Sequence, residues 1–210
     1  MIWVLVPYRA TATNGRSEHL QRFIAAFPAM FPNAMIFIME QSDDSRKFNR
    51  GALLNAGFSQ IYHSTKHDDT VIFHDVDLLP DVKLAKAYLR PLPKNKACHL
   101  AAVWKRYTGD QYLGGALSMR CEDFVRINGY PNKYWGWGGE DDELAARIRF
   151  HNISVHKCTK GSMTDMEDMD FTAKKKTLTK DVTCQNKWEN RDAYKALRQR
   201  RMRVEGLVQV

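Results

Sequence analysis

The sequence predicts an α/β fold: a mixed, mostly parallel central sheet flanked by helices. Two observations carry this expectation. Three short apolar runs, Ile2–Val6, Ala34–Met39 and Thr70–Phe73, have the length and composition of strands covered on both faces. Between them lie two segments with helical periodicity, Arg16–Phe27 and Phe48–Tyr62. The resulting βαβαβ order favours parallel strands joined by right-handed crossovers.

Each element has its own justification. The first strand starts almost at residue 1 and is too short for the apolar core of a signal peptide, with no basic segment before it. Leu20, Phe23, Ile24 and Phe27 share one face of the first helix, with Ser17 as a candidate cap and Pro28 and Pro32 bracketing its exit. Leu53, Leu54, Phe58 and Ile61 do the same for the second. Lys83–Leu89 reads as a helix stopped by Pro91 and Pro93. Ala97–Trp104 and Gly115–Met119 read as strands, Cys121–Ile127 as a short helix ending at Gly129-Tyr-Pro131. Asp141–Phe150 reads as a helix and Ile153–His156 as a last strand. Residues 158–182 show no clear period and read as loop, and Gln185–Val204 as a basic amphipathic helix. One domain over residues 1–210 is the economical organisation. It divides into 1–80, ending in Asp75-Val-Asp77, then 81–157, then a loop and basic tail over 158–210.

Composition excludes several classes. No stretch approaches about 18 uninterrupted apolar residues, so no spanning helix is expected. The four cysteines form no CxxC pair or zinc-like spacing, so Cys98, Cys121, Cys158 and Cys184 read as free thiols of a reducing compartment. The expectation is a soluble, cytoplasmic protein (host cytoplasm if viral). Lys and Arg number 32 against 24 Asp and Glu, a net +8 that suits anionic partners. Much of that excess lies in the arginine-rich segment 191–203. A nucleic-acid-binding protein would share this charge, but no nucleic-acid motif accompanies it, and no nucleic-acid partner is predicted.

Two segments carry chemistry. Val71-Ile-Phe-His-Asp-Val-Asp77 ends a strand at the place where open α/β sheets bind ligands. Alternation along an extended segment points Asp75 and Asp77 the same way, and paired carboxylates call for a nearby cation. Hard oxygen ligands suit Mg²⁺ or Mn²⁺, which in turn bind phosphate. A turn in which one aspartate caps the next helix would use the same residues. The second segment is Tyr134-Trp-Gly-Trp-Gly-Gly-Glu-Asp-Asp-Glu143. Its tryptophans Trp135 and Trp137 offer flat faces for sugar rings. Glu140, Asp141 and Asp142 open a helix, where a carboxylate is placed to act as a general base. An acidic helix start behind a glycine loop is the plainer alternative.

These residues and their neighbours resemble the β-1,4-galactosyltransferase family of metal-dependent, inverting glycosyltransferases. The likeness rests on Pro7-Tyr-Arg9, Arg16-x-Glu-His-Leu20, Phe48-Asn-Arg50, Leu54-Asn-x-Gly-Phe58 and Asp75-Val-Asp77. It continues through Tyr112-x-Gly-Gly115, Asn128-Gly-Tyr-Pro-Asn132 and the block Tyr134–Asp142. A small capsid-modifying glycosyltransferase domain of a chlorella virus is a looser likeness. The resemblance implies a GT-A fold, Rossmann-like and nucleotide-sugar-binding, with a UDP-sugar donor, Mn²⁺ or Mg²⁺, and a glycan or glycoprotein acceptor. Pro7, Tyr8, Arg9, Arg16, Phe48, Arg50 and Asp75 would bind the nucleotide, and Asp77 with Asp75 the metal. Tyr112, Gly114, Gly115, Trp135 and Trp137 would shape the donor-sugar and acceptor site. Asp141 would be the base, with Glu140 and Asp142 positioning the sugars.

The chain departs from the family at three places. Residues Ala10–Gly15 are an insertion before Arg16. The family's metal-binding Met-x-x-His is replaced by Met163-Thr-Asp-Met166 and Met166-Glu-Asp-Met169, which leaves His156 or Asp165 as a further metal ligand. Thr108-Gly-Asp110 replaces an aromatic-containing stretch at the sugar pocket. The altered metal segment also admits a nucleotide-sugar or carbohydrate-binding domain without catalysis.

Overall fold

The computed structural model describes residues 1–12, 14–104, 106, 112–170, 172–174, 176 and 206–207. The strands are β1 (Ile2–Tyr8), β2 (Ala34–Glu40), β3 (Thr70–His74), β4 (Leu78–Pro80), β5 (Lys96–His99), β6 (Ala116–Arg120), β7 (Ser154–Lys157) and β8 (Met163–Asp165). The helices are α1 (Arg16–Met30), α2 (Arg50–Ile61), α3 (Val82–Tyr88), α4 (Cys121–Arg126) and α5 (Glu140–Phe150). The main sheet has six strands in the order β2-β1-β3-β6-β5-β7. β1 runs parallel to β2 and β3, and β5 parallel to β7, while β6 is antiparallel to both its neighbours. The mixed, mostly parallel sheet expected from the sequence is therefore present.

Strand alternation divides the core into two layers. Val4, Val6 and Tyr8 of β1 pack on one face with Phe23 and Phe27 of α1 and Leu84 and Tyr88 of α3. Trp3 and Leu5 pack on the other face with α2, α4 and α5 through Leu54, Phe58, Phe124, Leu144 and Ile148. Ile24 of α1, by contrast, is exposed.

Three expectations need correction. Ser17 does not cap α1. Gly15 precedes the helix in the left-handed region at φ 65°, and the Asn14 carboxamide oxygen instead accepts from the Arg16 and Thr11 N–H groups. The strand expected over Ala97–Trp104 stops at His99, and Leu100–Val103 form a 3-10 turn. Residues 158–182 are not simply loop: Met163–Asp165 form β8, antiparallel to β4. Two-strand pairing of three-residue segments carries no periodicity that a sequence window can register. The tail expected as a helix over Gln185–Val204 lies outside the described residues. Leu207 beyond it donates to the Asn128 carbonyl, and the Asn132 amide to that of Gly206. Among the described residues no helix is long and apolar enough to cross a membrane. Cys98, Cys121 and Cys158 are free and buried, while Cys184 lies outside the described residues.

Candidate active site

The site lies beyond the carboxyl ends of β1 and β3, where a parallel sheet leaves a crevice. His74 closes β3, buried beneath Phe23 and Phe27. Its Nδ1 lies 2.9 Å from the Asp75 carbonyl, which can only accept, so Nδ1 carries the proton and Nε2 accepts from the Tyr88 hydroxyl. Burial pushes the His74 imidazole down to about 4, so the ring is neutral and works as a fixed strut. The Asp75 N–H donates to the Gly115 carbonyl, and the Leu78 N–H returns to the Asp75 carbonyl. Asp75-Val-Asp77 is therefore a turn, not an extended segment, and its two carboxylates take different partners.

Asp75 faces α2 and α5. Arg50 donates from Nε to Asp75 at 2.8 Å and from Nη1 to Asp141 at 3.1 Å, and its guanidinium lies over the Tyr130 ring. Arg50 is delivered by Asn49, whose side chain caps α2 by accepting from the Ala52 N–H and donates to the Asn132 carbonyl. Asn55 accepts from the Tyr130 N–H and donates to the Tyr130 carbonyl and to the Asn132 side chain. Gly51 is where the two segments touch, since a Cβ there would stand 2.6 Å from the Pro131 carbonyl. The Gly136 N–H donates to the Phe48 carbonyl, so the tryptophan loop is tied to the α2 entry as well. Arg46 stacks over Trp135 and Arg9 over Phe48. Pro7 and Tyr8 end β1 beside this group, and Trp137 is half-buried in the loop.

At the start of α5 two adjacent carboxyls differ. Burial, with Asp141 adding repulsion, pushes Glu140 up to about 8. Glu140 Oε2 has no hydrogen-bonding partner among the described residues. Burial also lifts Asp141, to about 6, against the pull of Arg50. At neutral pH Glu140 is protonated and Asp141 ionised, an acid/base division set by environment. Glu143, the last of the four acids, is structural: it accepts from the Tyr134 hydroxyl at 2.8 Å and pairs with buried Arg147. Gly114 lets the parts converge, because a Cβ there would collide with the Asp141 carboxylate and the Tyr112 hydroxyl. Gly115 adopts φ 84°, and His99 donates from Nε2 to the Gly114 carbonyl at 2.9 Å.

Asp77 faces the other way. One oxygen each of Asp77, Asp165 and Glu167 lie within 4.8 Å of one another. The Met166 N–H donates to the Asp77 carbonyl, which fastens β8 beside the turn. Arg16 pairs with Asp77 at 2.7 Å and Glu167 at 2.6 Å; Arg106 pairs with Asp165 and with Glu167, and Lys174 with Glu167. The Trp104 indole donates to Asp165. Burial raises Asp77, but Arg16 outweighs it and holds the carboxyl below its ordinary value. Three hard oxygen donors in one small volume, neutralised by side-chain cations, are a donor set that fits Mn²⁺ or Mg²⁺. Of the two further ligands expected, Asp165 joins Asp77, whereas His156 is exposed on the edge strand β7 and outside the cluster. Glu167 and Arg106 escaped sequence reasoning. The only signal for Glu167 was its place in the acidic run 165–170, which a solvated loop would also show.

Two protein-family models match the chain. The N-terminal region of glycosyl transferase group 7 matches residues 1–87, and a model described as the N-terminal domain of galactosyltransferase matches residues 95–173. The chain belongs to the β-1,4-galactosyltransferase family. It is 35% identical over 156 residues to mouse β-1,4-galactosyltransferase 4, covering 73% of this chain and 44% of that protein. To bovine β-1,4-galactosyltransferase 1 it is 31% identical over 160 residues, covering 73% and 38%. The chain thus spans less than half the length of these curated relatives. The catalytic domain of Drosophila β-1,4-galactosyltransferase 7, solved with xylobiose, superposes with a TM-score of 0.68 at 31% identity, covering 79% of this chain and 70% of that one. A mutant of the same fly galactosyltransferase was solved with manganese, UDP-Gal and xylobiose. A glycosyltransferase involved in the glycosylation of the major capsid of PBCV-1 shares the fold at a TM-score of 0.50 and 11% identity.

Proposed function

We propose that this galactosyltransferase-family chain moves a hexose from a UDP-sugar to a hydroxyl of a glycan or glycoprotein, inverting the anomeric carbon and requiring a divalent ion. Its relatives favour galactose as the hexose. The observation that carries this reading is Arg50, which joins the DxD turn to the candidate base in one side chain's span: Asp75 at 2.8 Å and Asp141 at 3.1 Å.

The proposed roles are these. Pro7, Tyr8, Arg9, Phe48, Arg50 and Asp75 line the nucleotide side. Arg16, on the carboxylate cluster, serves the diphosphate end. Asp77, Asp165 and Glu167, with Asp75 adjacent, hold Mn²⁺ or Mg²⁺. A bound divalent ion supplies positive charge against the leaving diphosphate. Arg16 and Arg50 place fixed guanidinium charge at the same end of the donor. Tyr112, Gly114 and Gly115 shape the donor-sugar floor, and Trp135 and Trp137 offer flat faces to sugar rings. Asp141, ionised at neutral pH, takes the proton of the attacking hydroxyl at its carboxylate oxygen. Protonated Glu140 donates a hydrogen bond without competing for that proton, and Asp142 helps position the sugars. Residues 1–210 act together as one transferase domain.

The test is UDP-sugar turnover with and without Mn²⁺ in the wild type and in the Asp77→Ala and Asp141→Asn variants. Both variants are expected to lose transfer. Full activity in either removes that residue from its role.

A further inference from the structure

Cys98 and Cys158 form no sequence motif. The parallel pairing of β5 with β7 brings them together: Cys98 faces His156 in the register, and the Cys158 N–H donates to the His99 carbonyl. Their sulfurs stand 3.3 Å apart in hydrogen-bonding contact, and both residues are almost fully buried. A disulfide needs about 2.05 Å, so closure requires the sulfurs to approach by roughly 1.3 Å. Cys158 lies two residues beyond the register partner of Cys98, so the two meet diagonally and closure also draws the end of β7 toward β5.

The two thiols are not equivalent. The contact between the two sulfurs and the nearby Arg90 charge hold the Cys158 thiol below its ordinary value. The same contact, with burial, pushes Cys98 far up. Position sets the order of reaction: Cys158 is the thiol a reagent meets first and Cys98 the second, resolving thiol. Cys158 also stands where the chain leaves β7 for exposed Thr159 and Lys160, which gives a small reagent its approach.

We propose that Cys98 and Cys158 are a reversible redox pair that takes a low-molecular-weight disulfide as oxidant and, once closed, tethers the segment leading to Asp165. The Cys158 thiolate attacks one sulfur of the small disulfide and expels its other half as a thiolate. That thiolate takes the Cys98 proton. The Cys98 thiolate then attacks Cys158 Sγ and releases the second small thiol. Two protein thiols are oxidised, one disulfide is reduced to two thiols, and no other reactant is needed. Both arms of the link run to the carboxylate cluster. From Cys158 the chain enters β8, which carries Asp165. From Cys98 it passes the 3-10 turn to Trp104, whose indole donates to Asp165.

The experiment equilibrates the purified chain in glutathione buffers of increasing oxidised fraction, alkylates the remaining thiols and maps peptides without reduction. Trypsin cuts after Lys96, Lys105, Arg120, Lys157, Lys160, Lys180 and Lys187, which puts the four cysteines on separate peptides. The expected product joins the Cys98 and Cys158 peptides. It is accompanied by a Tm rise of about 5–10 °C and slower amide exchange over residues 158–165. Cys98→Ser is expected to stop at a glutathione adduct on Cys158 with no Tm rise, while Cys121→Ser responds like the wild type. The proposal is overturned if both cysteines stay alkylatable in the most oxidising buffer. A wild-type chain that stops at the Cys158 adduct, or a bond from Cys158 to Cys121 or Cys184, also overturns it.

Discussion

The two halves of the site are built differently. Around Asp141, one cation, Arg50, spans two carboxylates, and its surroundings are locked by asparagine side chains bonded to backbone: Asn49 to Ala52 and Asn132, Asn55 to Tyr130. Around Asp77, three carboxylates crowd together and Arg16, Arg106 and Lys174 share them. The first half is organised largely by side-chain hydrogen bonds to backbone, with Arg50 bridging its carboxylates. The second is organised by charge, so its arrangement responds to whichever cation is present. A base needs fixed placement; a metal site needs carboxylates that can exchange one cation for another.

The predictions separate these halves. The largest effect is expected at the base. Asp141→Asn keeps the shape and the Arg50 contact but removes the proton acceptor, and is predicted to lower kcat by ~10²–10⁴-fold with donor affinity nearly unchanged. A parallel loss of donor binding would show that the half is not independently built. Glu167→Gln is expected to act on the metal instead. It should raise the Mn²⁺ concentration for half-maximal activity by roughly 10–100-fold while activity at saturating Mn²⁺ largely recovers. Electron paramagnetic resonance of bound Mn²⁺ measures this directly. Gly114→Ala pushes Tyr112 and Asp141 aside and is expected to lower kcat about tenfold or more, since misplacement of even 1 Å is costly. For Asp141, the pH profile of kcat/KM offers a finer check. An ionised base is active above its pKa, so the rate should rise with pH, reach half its maximum near about 6 and level off roughly one unit higher. The smallest effect on chemistry is expected from Glu143→Ala. It removes the carboxylate that neutralises buried Arg147, which keeps its bonds to the Asn128 and Gly129 carbonyls, and should cost about 3–5 kcal/mol of stability in a denaturation series. Folded molecules should keep most of their kcat.

The same division explains what the sequence revealed. The Asp141 half lies in contiguous motifs, Phe48-Asn-Arg50, Leu54-Asn-x-Gly-Phe58, Asn128–Asn132 and Tyr134–Asp142, whose asparagines and glycines bond largely from one motif to another. Reading them needs no long-range geometry beyond the sheet order, and that order follows from three apolar runs. The Asp77 half is assembled from β4 and β8, each three residues long, and from Arg106 and Glu167, which acquire meaning only once β8 pairs with β4. His156 suited a metal ligand by residue type, yet strand order put it at the far sheet edge. The insertion Ala10–Gly15 stands directly before Arg16. Asn14, accepting from the Thr11 and Arg16 N–H groups and donating to the Arg9 carbonyl, closes that insertion on itself and starts α1 with Arg16 on the cluster.

The most direct test of a two-part transferase is the release of UDP from UDP-galactose by the wild-type chain, followed with and without a glycan acceptor. The account predicts acceptor-dependent release in Mn²⁺, abolished by chelation and restored when Mn²⁺ is returned. Donor binding without acceptor-dependent release, or release indifferent to chelation, would contradict it.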